Sequence, residues 1–267
     1  MGTMVIAAML LGGCNPTDGA KSTSVDAAPV NQAASGGLNV KHVRVGVDAN
    51  FPPMVYRDAR GQLVGYDIDL SREAFKRMGA EVEYHDLHWG AKDDELLKFK
   101  NVDMFWSGVN ISPARAEVYE FSAPYLANKQ IVVVPVNSPI RTIADLGGKR
   151  VGVQRGSSLL PRLEAIQGPE GRIQSVETFE EYAGILVSML EGKLDAGLMG
   201  SVALDYYQKN TPGKFRILDE NLGETNMAVA FRKEDRNFVE NFNKVLEAMK
   251  ADGTTERIRA RWFDNKA

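Results

Sequence analysis

The sequence predicts an α/β protein of two similar lobes, and three observations predict it. From Val40 onward, segments with the apolar alternation of strands are interleaved with segments of helical spacing. A first β-α-β-α-β series is followed after Tyr125 by a second that nearly repeats it. The chain has 267 residues, and single cores stop growing near roughly 250 to 300 residues, so two lobes of about 100 to 150 residues are the natural division. The β-α-β order implies parallel strands with right-handed crossovers, because a right-twisted strand feeding a right-handed helix packs back on its sheet only that way.

Val43-Arg44-Val45-Gly46-Val47 has the apolar alternation of a strand. Asp48-Ala49-Asn50-Phe51-Pro52-Pro53 has turn chemistry with one aromatic in it, and a second turn lies near Asp58 to Gly61. Gly65 to Met78 is predicted as a helix, with Ile68, Leu70, Ala74, Phe75 and Met78 on one face and Glu73 and Lys76 outward. Glu81 to His85 returns as a strand, Lys92 to Lys100 as a helix, and Asn101 to Trp106 as a buried strand. In the second series the strands are Gln130 to Val136, Arg150 to Gln154, Arg172 to Val176 and Asp195 to Met199. The helices between them are Thr142 to Leu146, Ser157 to Ile166 and Thr178 to Glu191. Two last helices, Arg236 to Ala251 and Thr254 to Trp262, carry Phe238, Phe242, Val245, Leu246 and Met249 at helical spacing and are expected to pack back on a lobe.

The N-terminal region has a different character. Met4 to Gly13 is a short apolar run ending in Leu11-Gly12-Gly13-Cys14, too short for the roughly 20 residues that span a bilayer. It resembles the lipobox at which bacterial lipoproteins are cleaved and lipidated, so residues 1–14 are expected to be a lipoprotein signal and Cys14 the lipidated residue. No Lys or Arg precedes Cys14, unlike the basic start of most export signals. Residues 15–39, rich in Ser, Ala, Gly, Asn and Pro, hold almost no large apolar side chain and cannot offset the entropy of folding, which predicts a flexible tether. A tether from a lipidated cysteine holds a globular body outside the membrane, within reach of a membrane partner.

Composition excludes several classes. The net charge is −3, from 32 basic and 35 acidic residues with no dense Lys/Arg run, so no nucleic-acid partner is expected. Cys14 is the single cysteine, which rules out an internal disulfide; with only His42, His85 and His88 for company, no metal site is expected either. His85 and His88 are expected in loops or at the surface.

Three segments carry a resemblance. They are Val45 to Pro53 with Gly65-Tyr66-Asp67-Ile68-Asp69-Leu70, then Ser107 to Arg115 with Phe121-Ser122-Ala123-Pro124-Tyr125, then Val151 to Ser158. Together they resemble the extracellular solute-binding proteins of polar amino-acid ABC transporters, over about Val43 to Phe263. The resemblance implies the type II periplasmic binding protein fold, two α/β lobes joined by a two-strand hinge. The first lobe would be residues 40–126 and 227–267, the second residues 127–226. It further implies a small amino-acid-like ligand in the cleft between the lobes, a monomer, and an ABC permease in the membrane as partner. No cofactor is implied.

The resemblance also assigns roles. Arg115 matches the arginine that grips the ligand carboxylate. A planar guanidinium suits that task, because it makes two parallel charge-assisted bonds, each worth about 1.5 to 3 kcal/mol net. Ser107, Gly108 and Asn110 are expected on the strand-to-helix loop before it, where backbone groups and one amide meet a polar ligand head. Gln154, Ser157 and Ser158 would close a strand and open a helix whose N–H groups favour an anion, with Ser157 or Ser158 also serving as N-cap. Phe51 and Trp89 match aromatic positions that cover the ligand side chain, and Asp48 lies where polar contacts to it are made. Phe105 and Trp106 read as a buried strand end.

One position departs from the family. An aspartate that pairs with the ligand ammonium normally follows the strand near Asp195 to Met199, and here the position is Gly200. Either Asp48 or Glu224 compensates, or the ligand lacks an α-ammonium, or this chain has lost tight binding; Asp195 and Asp205 are expected at the strand start and on the next helix, away from the cleft. Hinge closure around the ligand is the implied mechanism, with no covalent chemistry and no catalytic residue. A dehydratase on the same fold, or a ligand-binding partner of a membrane sensor, are the alternatives; the first would need a general acid in the cleft.

Overall fold

The computed structural model describes residues 41–163, 166–168 and 171–264. Cys14 and the expected signal and tether lie outside the described residues. The first strand, β1 (His42–Val47), is followed by a small antiparallel sheet of Asn50–Phe51, Val55–Arg57 and Leu63–Val64, then by helix α1 (Tyr66–Met78). Gly65 precedes α1 at φ 140°, where a Cβ would overlap the Met54 carbonyl, so only glycine fits this entry. Gly79 ends the helix in the left-handed region, its N–H bonded to the Lys76 carbonyl, and Ala80 N–H reaches back to Phe75. Ile68, Leu70, Ala74 and Phe75 are fully buried, as their spacing predicted. Each large side chain among them contributes about 1.5 to 3 kcal/mol by leaving water.

The principal further elements are β2 (Glu81–Asp86), β3 (Met104–Asn110), α2 (Pro113–Val118), β4 (Leu126–Pro135), β5 (Arg150–Gln154), β6 (Ser175–Phe179), α3 (Tyr182–Leu190), β7 (Ala196–Gly200), α4 (Ser201–Asn210), β8 (Phe215–Arg232), α5 (Arg236–Ala251) and α6 (Thr254–Phe263). Strand order along the main sheet is β6-β5-β7-β4-β8-β3-β1-β2. β1 pairs parallel with β2 and β3 in one lobe, and β5 pairs parallel with β6 and β7 in the other. Between them β4 and β8 run antiparallel as the two-strand connection, in a ladder from Phe215 opposite Pro135 to Met227 opposite Leu126.

Several boundaries differ from the sequence expectation, each for a tertiary reason. β3 starts at Met104 and continues to Asn110, because β8 supplies a ladder partner: Met227 faces Asn110 and Ala228 faces Val109. Ser107, Gly108 and Asn110 therefore lie on the strand and not on a loop after it. The ladder shifts register between Ala228 and Ala230, and Gly108 takes φ +58° beside that shift. The segment expected as a helix from Lys92 is a 3₁₀ turn at Trp89–Ala91 followed by a π-helical turn at Asp94–Lys98. The helix expected from Ser157 starts only at Leu160, since Pro161 is tolerated only in a first turn. β6 lies at Ser175–Phe179, not at Arg172 to Val176, fixed by its pairing with β5 from Ser175 opposite Arg150 to Phe179 opposite Gln154. α3 consequently begins at Tyr182. Phe105 and Trp106 are buried, as expected, and α5 buries Phe238, Phe242 and Met249 against the first lobe's core.

Candidate functional site

The cleft between the lobes collects most of the residues singled out in the sequence. Asp48 follows β1 and is 4% exposed. Its backbone N–H donates to Ser107 Oγ at 3.0 Å, and its Oδ1 accepts from Asn50 N–H at 3.0 Å. Its Oδ2 accepts from Gln154 Nε2, at the end of β5 in the other lobe, also at 3.0 Å. Burial is the main reason that the Asp48 carboxyl is pushed up to about 6, a rise that the bonds from Asn50 and Gln154 only partly offset.

Arg115 stands in the first turn of α2, which Pro113 opens and Ser112 caps by accepting the Arg115 N–H at 3.3 Å. Its guanidinium reaches both lobes. Nη1 donates to the Asn110 carbonyl at 3.0 Å and Nη2 to the Gly156 carbonyl at 3.0 Å. Its Cζ lies 5.8 Å from the Trp89 ring centre. Burial pushes the guanidinium down from its ordinary value, but an arginine keeps its charge in any protein setting.

The aromatic residues are shared between cleft and core. Trp89 is 7% exposed and belongs to the cluster of Phe105, Val109 and Tyr119, while its ring face carries two cations. Phe51 covers Gly108 so closely that a Cβ on Gly108 would overlap its ring, and it packs across the cleft on Tyr182 with ring centres 5.5 Å apart. Ser158 Oγ accepts from Gln130 Nε2 at 3.2 Å, and Ser157 Oγ accepts from Leu159 N–H at 3.2 Å. The two serines thus brace a turn after β5 and do not head a long helix.

Gly200 ends β7 and precedes α4. A Cβ there would lie 2.7 Å from Asn128 Nδ2 and 3.0 Å from its Oδ1, so the amide of Asn128, on β4, fills the space beside Gly200. That amide donates to Asn110 Oδ1 at 3.0 Å and accepts from Ser201 Oγ at 3.4 Å. Glu224 does not compensate, for it is exposed and pairs with Lys129 at 3.4 Å. Asp195 pairs with Arg150 at 2.8 Å just before β7, and Asp205 lies on α4.

A matching model of the bacterial extracellular solute-binding proteins, family 3, covers residues 43–265. The chain belongs to this family. Among similar relatives are the ABC transporter arginine-binding protein 1 of Escherichia coli, 28% identical over 85% of this chain and 93% of its own length, and the histidine-binding periplasmic protein of Salmonella typhimurium, 30% identical over 83% and 87%. A structure of an ABC uptake transporter substrate-binding protein from Streptococcus pneumoniae with bound histidine matches with a TM-score of 0.76 at 27% identity, covering 84% of this chain and 93% of that one.

Three residues of this solute-binding protein's cleft escaped the sequence reading. Tyr182 is buried between the lobes, its hydroxyl bonded to the Gly200 backbone, with both Asp48 and Arg115 near enough to act on it. Lys92 is 5% exposed beside Arg115 and Trp89. Asn128 occupies the space beside Gly200. None of the three had a local signal: Asn128 precedes the strand read from Gln130 and is one of three consecutive polar residues, Asn128-Lys129-Gln130. Introducing Gly200→Asp is expected to lower stability to urea by about 1 to 3 kcal/mol, as overpacking does. The added variant Asn128→Ser should restore part of the loss; a tolerated Gly200→Asp would show that the Asn128 amide yields freely.

Proposed function

We propose that the protein captures a small amino-acid-like ligand in the cleft and presents the closed form to an ABC permease. The observation that carries this reading is the convergence of both lobes on one spot: Asp48 with Gln154, Arg115 with the Gly156 carbonyl, and Phe51 with Tyr182. Arg115 is read as the carboxylate clamp, Phe51 and Trp89 as the apolar walls, and Asp48 with Gln154 as the polar contact at the far end. Ser107, Gly108, Asn110, Ser157, Ser158 and Gly200 shape the pocket through backbone groups and small side chains. Arginine and histidine, named for the relatives, are natural first candidates, since Asp48 offers a buried acceptor to a side chain bearing N–H donors.

The mechanism is closure of the lobes about β4 and β8, with residues 40–126 and 227–267 as one lobe and 127–226 as the other. A ligand stabilises the closed state by its difference in affinity for the two states. The reading includes no catalysis: the relatives are binding proteins, and Asp48 is already held by Gln154 and Asn50. Cys14 is proposed as a lipid anchor outside the cytoplasm, supported by the Leu11-Gly12-Gly13-Cys14 order. Among the described residues no helix is long and apolar enough to cross a membrane.

The test is isothermal titration of the purified protein with the proteinogenic amino acids and their deaminated analogues. Saturable binding of at least one, at one site per chain, is expected. Heat signals absent across the whole panel would overturn the ligand class.

A further inference from the structure

Lys92 sits where a solvated lysine is expected, yet its side chain is almost completely buried at the cleft. Its Nζ lies 5.2 Å from the centre of the same Trp89 ring that carries Arg115 at 5.8 Å. It approaches the other lobe as well: a Cβ on Gly156 would meet Lys92 Nζ at 3.5 Å, and the Gly156 carbonyl is the one that Arg115 bonds. Two cations thus share one end of the cleft. Burial first, and then the charge of Arg115, push the Lys92 ammonium down from its ordinary value.

The uncharged groups around this end are equally telling. Asn110 and Asn128 bond each other, Gly200 has no side chain, and Tyr182 presents a hydroxyl. The nearest carboxylate, Asp93, has a side chain 58% exposed at the rim, where it pairs with Lys92 at 3.3 Å and accepts the Tyr119 hydroxyl. The buried carboxyl of Asp48 is bonded by Gln154 and Asn50, and the carboxylate whose charge acts on Arg115 and Lys92 is Asp93, not Asp48.

An α-amino acid carries its ammonium one carbon away from its carboxylate. A carboxylate held by Arg115 would therefore place that ammonium beside Lys92, among neutral amides, where the one acid at hand, Asp93, is already paired with that lysine at the rim, and a like charge in a desolvated setting is strongly disfavoured. We infer that this end of the cleft accepts a carboxylate with no ammonium on the adjoining carbon, and that Lys92 is the residue that selects it. The ligand class is the deaminated amino acid, its far end turned to Asp48 and Gln154. The inference rests on the proposed binding function and narrows its substrate.

The experiment titrates matched pairs that differ in the α-ammonium alone: arginine against δ-guanidinovalerate, lysine against ε-aminocaproate, glutamate against glutarate. The deaminated member of the pair that binds should do so at least about tenfold more tightly, each tenfold step being an ordinary consequence of one misplaced charge. Lys92→Met should shrink that ratio towards one, and Lys92→Gln serves if the methionine variant does not fold. Tighter binding of the amino acid, or a ratio that neither Lys92 variant moves, overturns this inference and leaves the binding function standing. Where another amino acid of the full panel binds, its own deaminated partner is compared in the same way, and silence across the whole panel and its analogues overturns both.

Discussion

Replacing Arg115 with alanine is expected to cost between about thirtyfold and a few thousandfold in ligand affinity, the range that follows from losing about 2 to 5 kcal/mol when one partner of a buried charge pair is removed. In the proposed function the guanidinium has a double task. Towards the ligand it offers a planar fork, and towards the protein it ties Asn110 of one lobe to Gly156 of the other. Arg115→Ala should therefore weaken closure as well as contact, and titration calorimetry with small-angle scattering reads the two separately. Arg115→Lys keeps the charge but has no fork to span both carbonyls, so an intermediate loss is expected. Unchanged affinity in Arg115→Ala would remove this residue from the site.

The second large effect concerns Asp67, near the start of α1. It is fully buried directly behind the cleft, where its Oδ2 accepts from Gly108 N–H at 2.7 Å and from the Tyr125 hydroxyl at 3.0 Å. Its Oδ1 has no partner. Burial pushes the carboxyl from 3.8 up to about 8, and the bonds from Gly108 and Tyr125 only partly offset this. The sign follows directly: from about pH 4 to about pH 8 the native chain holds a proton that the unfolded chain has released, so stability falls as pH rises through that window. Asp48, raised to about 6, adds to the fall in the lower half of the window. Asp67→Asn mimics the protonated carboxyl, keeping an acceptor for Gly108 and Tyr125 without a charge. It should be near neutral at or below about pH 4 and increasingly stabilising above it, by about 4 kcal/mol or more at pH 8, since a tenfold change in an acid's dissociation constant between folded and unfolded chain is worth about 1.4 kcal/mol. Urea unfolding of both proteins between about pH 6 and about pH 8, above the Asp48 range, isolates the effect. Parallel curves would mean that Asp67 ionises freely in the fold.

Much of the architecture was legible because periodic burial is a local property. Val43, Val45 and Val47 alternate into the core, and Phe238, Phe242 and Met249 line one face of α5, whose bounds match the pattern read from the sequence. Arg115, Asp48 and Gln154 were legible through the motifs around them. Tyr182 was not, since the helical pattern begun at Thr178 made it one more core aromatic; its place depends on Phe51, on the other side of the cleft. Lys92 was hidden for a related reason. Nothing in Trp89-Gly90-Ala91-Lys92 says that the lysine turns inward; that depends on the π-helical turn after it and on Gly156 opposite. The helix over Ser157 to Ile166 was begun too early because spacing alone does not weigh Pro161.

The ladder of β4 and β8 has a consequence for how such a molecule changes ligand over time. A paired ribbon of two strands resists stretching and shear but yields to flexing, as a leaf spring does, and the ladder of β8 with β4 has two register shifts, between Ile217 and Asn221 and between Asn221 and Glu224, where the pairing is broken. The stroke is set by backbone pairing, while on the proposed reading the chemistry of the cargo is set by residues outside that ribbon, such as Lys92, Gly200 and Tyr182. Cargo and stroke can therefore drift independently, and a chain that exchanges one ligand for another keeps the same moving part.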